Sequence, residues 1–216
     1  MKTSTNSNSS SPLPTLAALL LVCATGMAAL YHGTMGFEVV STEDGRRLAI
    51  ERQPLALPQT AIHHPEAGTL ARMLADDGRV AIVSFIYSGC NAVCSVLGSE
   101  FQELQQQILE RGLQHDLRLI SISFDPRDTA PVLAAYARRQ HAIPSLWRMA
   151  GIDRGDQRKA LLDAFGIVVL PAPMGEFQHN AAFHLIDRQG RLARITDYDD
   201  PARALEHAAA MAAERR

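Results

Sequence analysis

The chain has 216 residues, 47% hydrophobic and 20% charged, with 21 basic against 23 acidic side chains. A net charge of -2 argues against a dominant phosphate-binding surface, and so against nucleic acid as the main partner. Fourteen Gly and eleven Pro exclude collagen-like and low-complexity chains, and three cysteines are too few for a disulfide-stapled miniprotein.

The chain opens with a polar stretch, residues 1–12, in which Lys2 is the only basic side chain. Leu13 to Leu30 (LPTLAALLLVCATGMAAL) then runs for 18 residues without a charge, long enough for a membrane helix and longer than most signal-peptide cores. Residues 13–32 are read as a transmembrane anchor or signal segment, with an uncleaved anchor favoured and the rest of the chain exported. Cys23 sits within the run, and Val22 is bulky where a lipidation site needs a small residue, so Cys23 is read as a small apolar side chain.

Residues 33–64 carry few periodic apolar positions and several breakers, so they read as a tether and irregular lead-in, with a short hairpin at Asp44-Gly45. From residue 65 to 216 the pattern is that of one folded domain. Val80–Tyr87 is a continuous β-branched and aromatic run, as for a strand buried on both faces. Val96, Leu97, Phe101, Leu104 and Ile108 recur at helical spacing, and Gly112 marks the stop. Leu117–Phe124 is the next strand. It is followed by Asp125-Pro126-Arg127-Asp128-Thr129 and a helix with Pro131 in its first turn and Asp128 or Thr129 as cap. A short strand near Leu146–Met149, a helix over Asp156–Phe165, and strands Ala182–Ile186 and Leu192–Ile195 about the turn Asp187–Gly190 come next. A helix from Pro201, capped by Asp200, closes the chain. This is an α/β class chain in the thioredoxin order of elements: a central mixed sheet flanked by helices.

The residues that carry chemistry are Cys90 and Cys94, with three residues between them, directly after a buried strand and directly before an amphipathic helix. Two thiols at that spacing can share one side of a helical turn, and there close a disulfide or pinch one soft metal ion. A helix start supplies unpaired N–H groups and the positive end of the dipole, which favour thiolate. The pair stands alone, so a four-ligand structural zinc is poorly supported. Two thiolates plus one imidazole make a three-coordinate site suited to Cu(I), with Cu(II) also accessible.

Three segments resemble the Sco/SenC copper-chaperone family. Residues 84–104 (SFIYSGCNAVCSVLGSEFQEL) resemble its cysteine segment, and residues 119–137 (LISISFDPRDTAPVLAAYA) its Asp-Pro-x-x-Asp-Thr signature. Residues 177–192 (FQHNAAFHLIDRQGRL) resemble its histidine segment, with His179 eight residues before Asp187. The resemblance implies a thioredoxin-like domain tethered to a membrane, with copper on Cys90, Cys94 and His179. It also implies a role in delivering copper to the dinuclear centre of cytochrome c oxidase subunit II, or in reducing that subunit's cysteines. Another copper or thiol client is the alternative partner, and the bacterial periplasm is the implied compartment. The family's prolines after each cysteine are replaced here by Asn91 and Ser95, which frees the loop and adds N–H donors.

The same thiols support a second function, a thiol-disulfide oxidoreductase of the cell envelope. In it Cys90 and Cys94 are the catalytic redox pair and copper is not obligatory. His179 discriminates the two, because metal binding needs it and thiol exchange does not. A peroxiredoxin-like reading wants Thr or Ser three residues before the reactive cysteine, where this chain has Tyr87. His184 reads as a core or sheet-face residue. His63-His64 read as a surface pair with auxiliary copper ligation as the alternative, and Asp125 as a shaper of the copper pocket.

Overall fold

The computed structural model describes residues 12–34, 36, 41–63, 67–75, 78–89 and 93–214. The chain divides into two units, Met1–Leu48 and Ala49–Arg216. In the first, α1 (Pro12–Gly33) exposes its leucines and is long and apolar enough, by length and composition, to cross a membrane. The second helix, α2 (Thr42–Arg52), straddles the boundary between the units. It begins with a capping box: Asp44 N–H donates to Ser41 Oγ (3.1 Å) and Ser41 N–H to Asp44 Oδ2 (2.9 Å). That reciprocal cap starts a helix where Asp44-Gly45 suggested a hairpin, and Glu43 adds bonds to Arg46 and Arg47 one turn on.

The larger unit runs β1 (Leu55–Ala56), β2 (Ala61–His63), β3 (Gly68–Thr69), α3 (Leu70–Ala75), β4 (Val80–Ile86), α4 (Val93–Glu110), β5 (Leu117–Ser123), α5 (Ala130–Arg139), β6 (Trp147–Ile152) and α6 (Gly155–Phe165). It continues with β7 (Val169–Pro171), a 3-10 turn (Pro173–Gly175), β8 (Phe177–His179), β9 (Phe183–Ile186), β10 (Arg191–Thr196) and α7 (Pro201–Ala213). One mixed sheet has the order β1-β10-β9-β4-β5-β6-β2-β3, with β4, β5 and β6 parallel and the other pairings antiparallel; β7 and β8 form a separate ribbon. All seven residues of both β4 and β5 are buried, Ser84, Arg118, Ser121 and Ser123 included.

Alternation along the central strands supplies two cores. On one face Phe101 of α4 packs against Trp147 and Phe183, and the Trp147 indole donates to Ser121 Oγ at 3.0 Å. On the other face Phe85 meets Phe165 of α6 and His184. His184 is fully buried, with Nε2 3.1 Å from the Phe165 carbonyl, in the core position expected for it. Gly112 (φ +70°) closes α4, as Leu113 N–H returns to the Ile108 carbonyl at 2.9 Å. Asp200 caps α7 by accepting from Arg203 N–H at 3.0 Å.

Two expectations change. The 33–64 stretch is not irregular throughout, since it contributes α2, β1 and β2. The first strand pairs with β10 and the second with β6, so tertiary pairing rather than local pattern creates both. Asp128 does not cap α5. Thr129 occupies the N-cap position without a side-chain bond, and the Asp128 carboxylate is engaged elsewhere.

Candidate metal centre

The first turn of α4, at the C-terminal end of β4, holds Cys94; Cys90 lies outside the described residues, as does His64. Among the described residues no three His, Cys, Asp or Glu side chains converge to hold a metal ion. Three loops meet at this end of the sheet: Tyr87–Gly89 after β4, the Asp125–Thr129 turn after β5, and the β7–β8 hairpin that carries His179.

His179 is the last residue of β8, opposite Val169. Its Nδ1 lies 2.8 Å from the Asn180 carbonyl. A carbonyl only accepts, so Nδ1 carries the proton in this bond. The half-buried ring stands edge-on to Phe124 (centroids 5.0 Å apart) and Tyr87 (6.3 Å). Burial among these rings pushes the imidazole pKa below its ordinary value, partly offset by the bond to Asn180. A neutral imidazole is the form that ligates a metal. Asn180 fixes the hairpin base, accepting from Val168 N–H (2.7 Å) and donating to the Gly166 carbonyl (2.8 Å).

Two residues tie the hairpin to the strand ends. The Tyr87 hydroxyl donates to Glu176 Oε2 at 2.6 Å and accepts from Phe177 N–H at 3.3 Å. Arg127 grips buried Asp125 through Nε and Nη2 (2.9 and 2.7 Å), reaches the Gly175 carbonyl at 2.8 Å, and lies 5.3 Å over the Phe177 ring. The hydrogen bonds to Asp125 raise the guanidinium pKa further. Asp125 therefore shapes this region through Arg127. Tyr87 is buried and also serves as a tie.

The buried Asp128 carboxylate is the anchor of the cysteine-side loop. Its Oδ2 accepts from Ser88 N–H (2.8 Å) and Ser123 Oγ (2.5 Å), and its Oδ1 from the Ser88 hydroxyl. Ser88, Gly89, Asp125, Arg127 and Glu176 line a cavity of about 300 Å³ between this loop and the hairpin. Sequence alone did not reveal these ties, because their partners are about 40 to 90 positions apart. His63, read as a surface residue, is instead bonded on both ring nitrogens, to Asp153 (2.6 Å) and to the Asp128 carbonyl (2.9 Å).

Residues 66–214 match the SCO1/SenC family. The SCO1 protein homolog of Bacillus subtilis is 26% identical over 133 residues, 57% of this chain and 67% of that protein. Among solved structures, copper-bound ScoI of Arabidopsis thaliana superposes with a TM-score of 0.58 at 17% identity, over 73% of this chain and 96% of that one. BsSco, described as a member of the Sco family of cytochrome c oxidase assembly proteins, superposes with a TM-score of 0.57 at 20% identity, over 75% and 95% of the two chains. The architecture is thus the thioredoxin-like fold of those proteins, and with more than half of its length inside the family's match, the chain belongs to the SCO1/SenC family.

Proposed function

We propose that this chain is a membrane-anchored copper-binding protein that takes copper on Cys90, Cys94 and His179. It passes the metal to the dinuclear copper centre of cytochrome c oxidase subunit II, or prepares the cysteines of that centre. Family membership supports the reading, as does the copper bound to ScoI of Arabidopsis thaliana and the assembly role given for the BsSco family. The observation that carries it is His179: a half-buried imidazole with a lowered pKa, on a hairpin tied by Tyr87 to the end of the strand that leads to Cys90. Soft thiolates with a neutral imidazole are a donor set that suits Cu(I) and tolerates Cu(II).

The cargo moves by ligand exchange. A client thiolate or imidazole displaces one ligand at a time, so the metal is never released to water. The α1 helix anchors the chain, with the folded unit outside the cytoplasm, in the bacterial periplasm. The position of Cys94 in the first turn of α4 favours a second use of the same sulfurs. Cys90 thiolate attacks a client disulfide and expels one client thiolate. Cys94 then attacks the mixed disulfide, releases the second client thiol and leaves a Cys90–Cys94 disulfide, two electrons having passed to the client.

The test is a titration of the reduced full-length chain in detergent with Cu(I) against a competing chelator, beside His179→Ala. One-to-one binding that weakens at least about tenfold in the variant supports the copper site. Binding indifferent to His179 overturns it and leaves the redox reading.

A further inference from the structure

His63 lies on β2 and pairs across the strand with Gly151 of β6. A Cβ on Gly151 would come within 2.3 Å of His63 Nε2, so the ring occupies the space that the glycine leaves. Both ring nitrogens face oxygen atoms: Nε2 donates to the Asp128 carbonyl (2.9 Å), and Nδ1 lies 2.6 Å from Asp153 Oδ1. Asp153 is itself fixed beside β2, its N–H donating to the Ala61 carbonyl at 3.2 Å.

The Asp128 carbonyl is one residue ahead of the carbonyl that begins the helical ladder of α5, that of Thr129, which accepts from Leu133 N–H. The helix does not supply its donor; His63 does. The carboxylate of the same residue holds the Ser88 backbone and hydroxyl, and Ser88 is two positions before Cys90. A continuous line of hydrogen bonds thus runs from the far edge of the sheet, Asp153 to His63 to Asp128 to Ser88, and ends at the cysteine loop.

We propose that His63, oriented by Asp153 and seated over Gly151, is a positioning residue for the Cys90–Cys94 loop, acting through the peptide and carboxylate of Asp128. The pair sets where Asp128 stands, and Asp128 sets where the chain leaves β4 for the first cysteine. Hydrogen-bonded groups behind a ligand loop tune affinity and thiol chemistry by fixing its geometry, without touching the metal. The inference rests on the copper-and-thiol reading of the cysteine pair.

The experiment uses the full-length chain in detergent and two variants. His63→Phe keeps a flat ring over Gly151 and removes both ring nitrogens, whereas His63→Gln keeps a donor able to reach the Asp128 carbonyl. Two constants are measured beside the thermal melt: Cu(I) affinity by chelator competition, and the Cys90/Cys94 thiol–disulfide equilibrium in a redox buffer. The expected result is a shift of about tenfold in each for His63→Phe, with most of it recovered in His63→Gln. Constants within about twofold of the native chain, even with a lowered melting temperature, overturn the proposal and leave His63 a stabilising residue only. If His63→Phe does not fold, Asp153→Asn, which leaves the ring in its seat, is read against the same two constants. If the native chain fails to bind Cu(I), the copper function falls, and the thiol–disulfide constant alone decides the role of His63.

Discussion

The Tyr87 hydroxyl donates to Glu176 Oε2 at 2.6 Å, so the residue directly after the central strand β4 holds the hairpin bearing His179. One strand end thereby serves both halves of the candidate metal centre: it leads into the cysteine loop and holds the histidine hairpin. Arg127 makes the second tie, through Asp125 and the Gly175 carbonyl.

Tyr87→Phe removes the hydroxyl and keeps the ring contacts with Phe124, Phe177 and His179. It is expected to cost about 1–2 kcal/mol of stability, one to two net hydrogen bonds. Cu(I) affinity falls several-fold as the hairpin loosens. Urea unfolding and chelator competition on the same preparation check both effects, and an unchanged affinity would show that the tie does not hold His179 in place.

Gly151→Ala places a Cβ 2.3 Å from His63 Nε2. Either the His63 ring leaves its seat or β2 moves off β6, and overpacking of this kind costs about 1–3 kcal/mol. The His63 imidazole resonances should shift in the variant, and pairing it with His63→Ala should recover most of the stability. A double-mutant cycle reads that coupling directly.

Proton uptake by two histidines sets a pH dependence. Burial lowers the pKa of His179 below 6.5; burial, together with the nearby Arg194 and Arg203, does the same for His207. Arg194 Nη1 lies 3.0 Å from His207 Nδ1, and a guanidinium can only donate to that ring. A depressed folded value means that the unfolded state binds more protons below 6.5. The stability contribution is therefore complete above 6.5 and is lost as pH falls through the lowered folded value. Melting temperatures of the apo chain should decline over that window, and His207→Gln should flatten part of the decline. A midpoint for the His179 ring at or above 6.5 by NMR would contradict the assignment.

Charge in α1 should abolish anchoring. Leu19→Arg with Leu20→Arg puts two guanidinium groups into the middle of an uncharged helix, at about 2.5–3.5 kcal/mol each for insertion. Fractionation of cells should then find the chain outside the membrane pellet, whereas the native chain stays in it through a high-salt wash.

Asp128→Asn replaces one acceptor of a buried carboxylate with an amide NH2, which then faces a donor from Ser88 or Ser123. An expected loss of about 1–3 kcal/mol follows from the unsatisfied donor. Faster alkylation of Cys90 is expected to accompany it, as the loop beyond Ser88 is released. Thermal melts and timed thiol labelling measure the two.

Wherever one short stretch of chain carries its own physical instruction, sequence by itself was sufficient. The β-branched and aromatic run of β4 had to be buried on both faces, and the spacing of Leu97, Phe101, Leu104 and Ile108 dictated a helix with one buried stripe. The Asp200 cap and the Asp187–Gly190 turn were equally local, and the cysteine pair with His179 stood out by motif. Local signals also misled: Asp44-Gly45 suggested a turn, but the Ser41–Asp44 capping box made it part of a helix. Only tertiary structure decided that β1 and β2 join opposite sides of one sheet, since two- and three-residue strands exist through their partners. It likewise decided the work of Tyr87, Arg127, Asp128 and His63. A hydrogen bond between groups about 40 to 90 positions apart leaves no period in the sequence, and it forms only when the sheet brings three loops to one end.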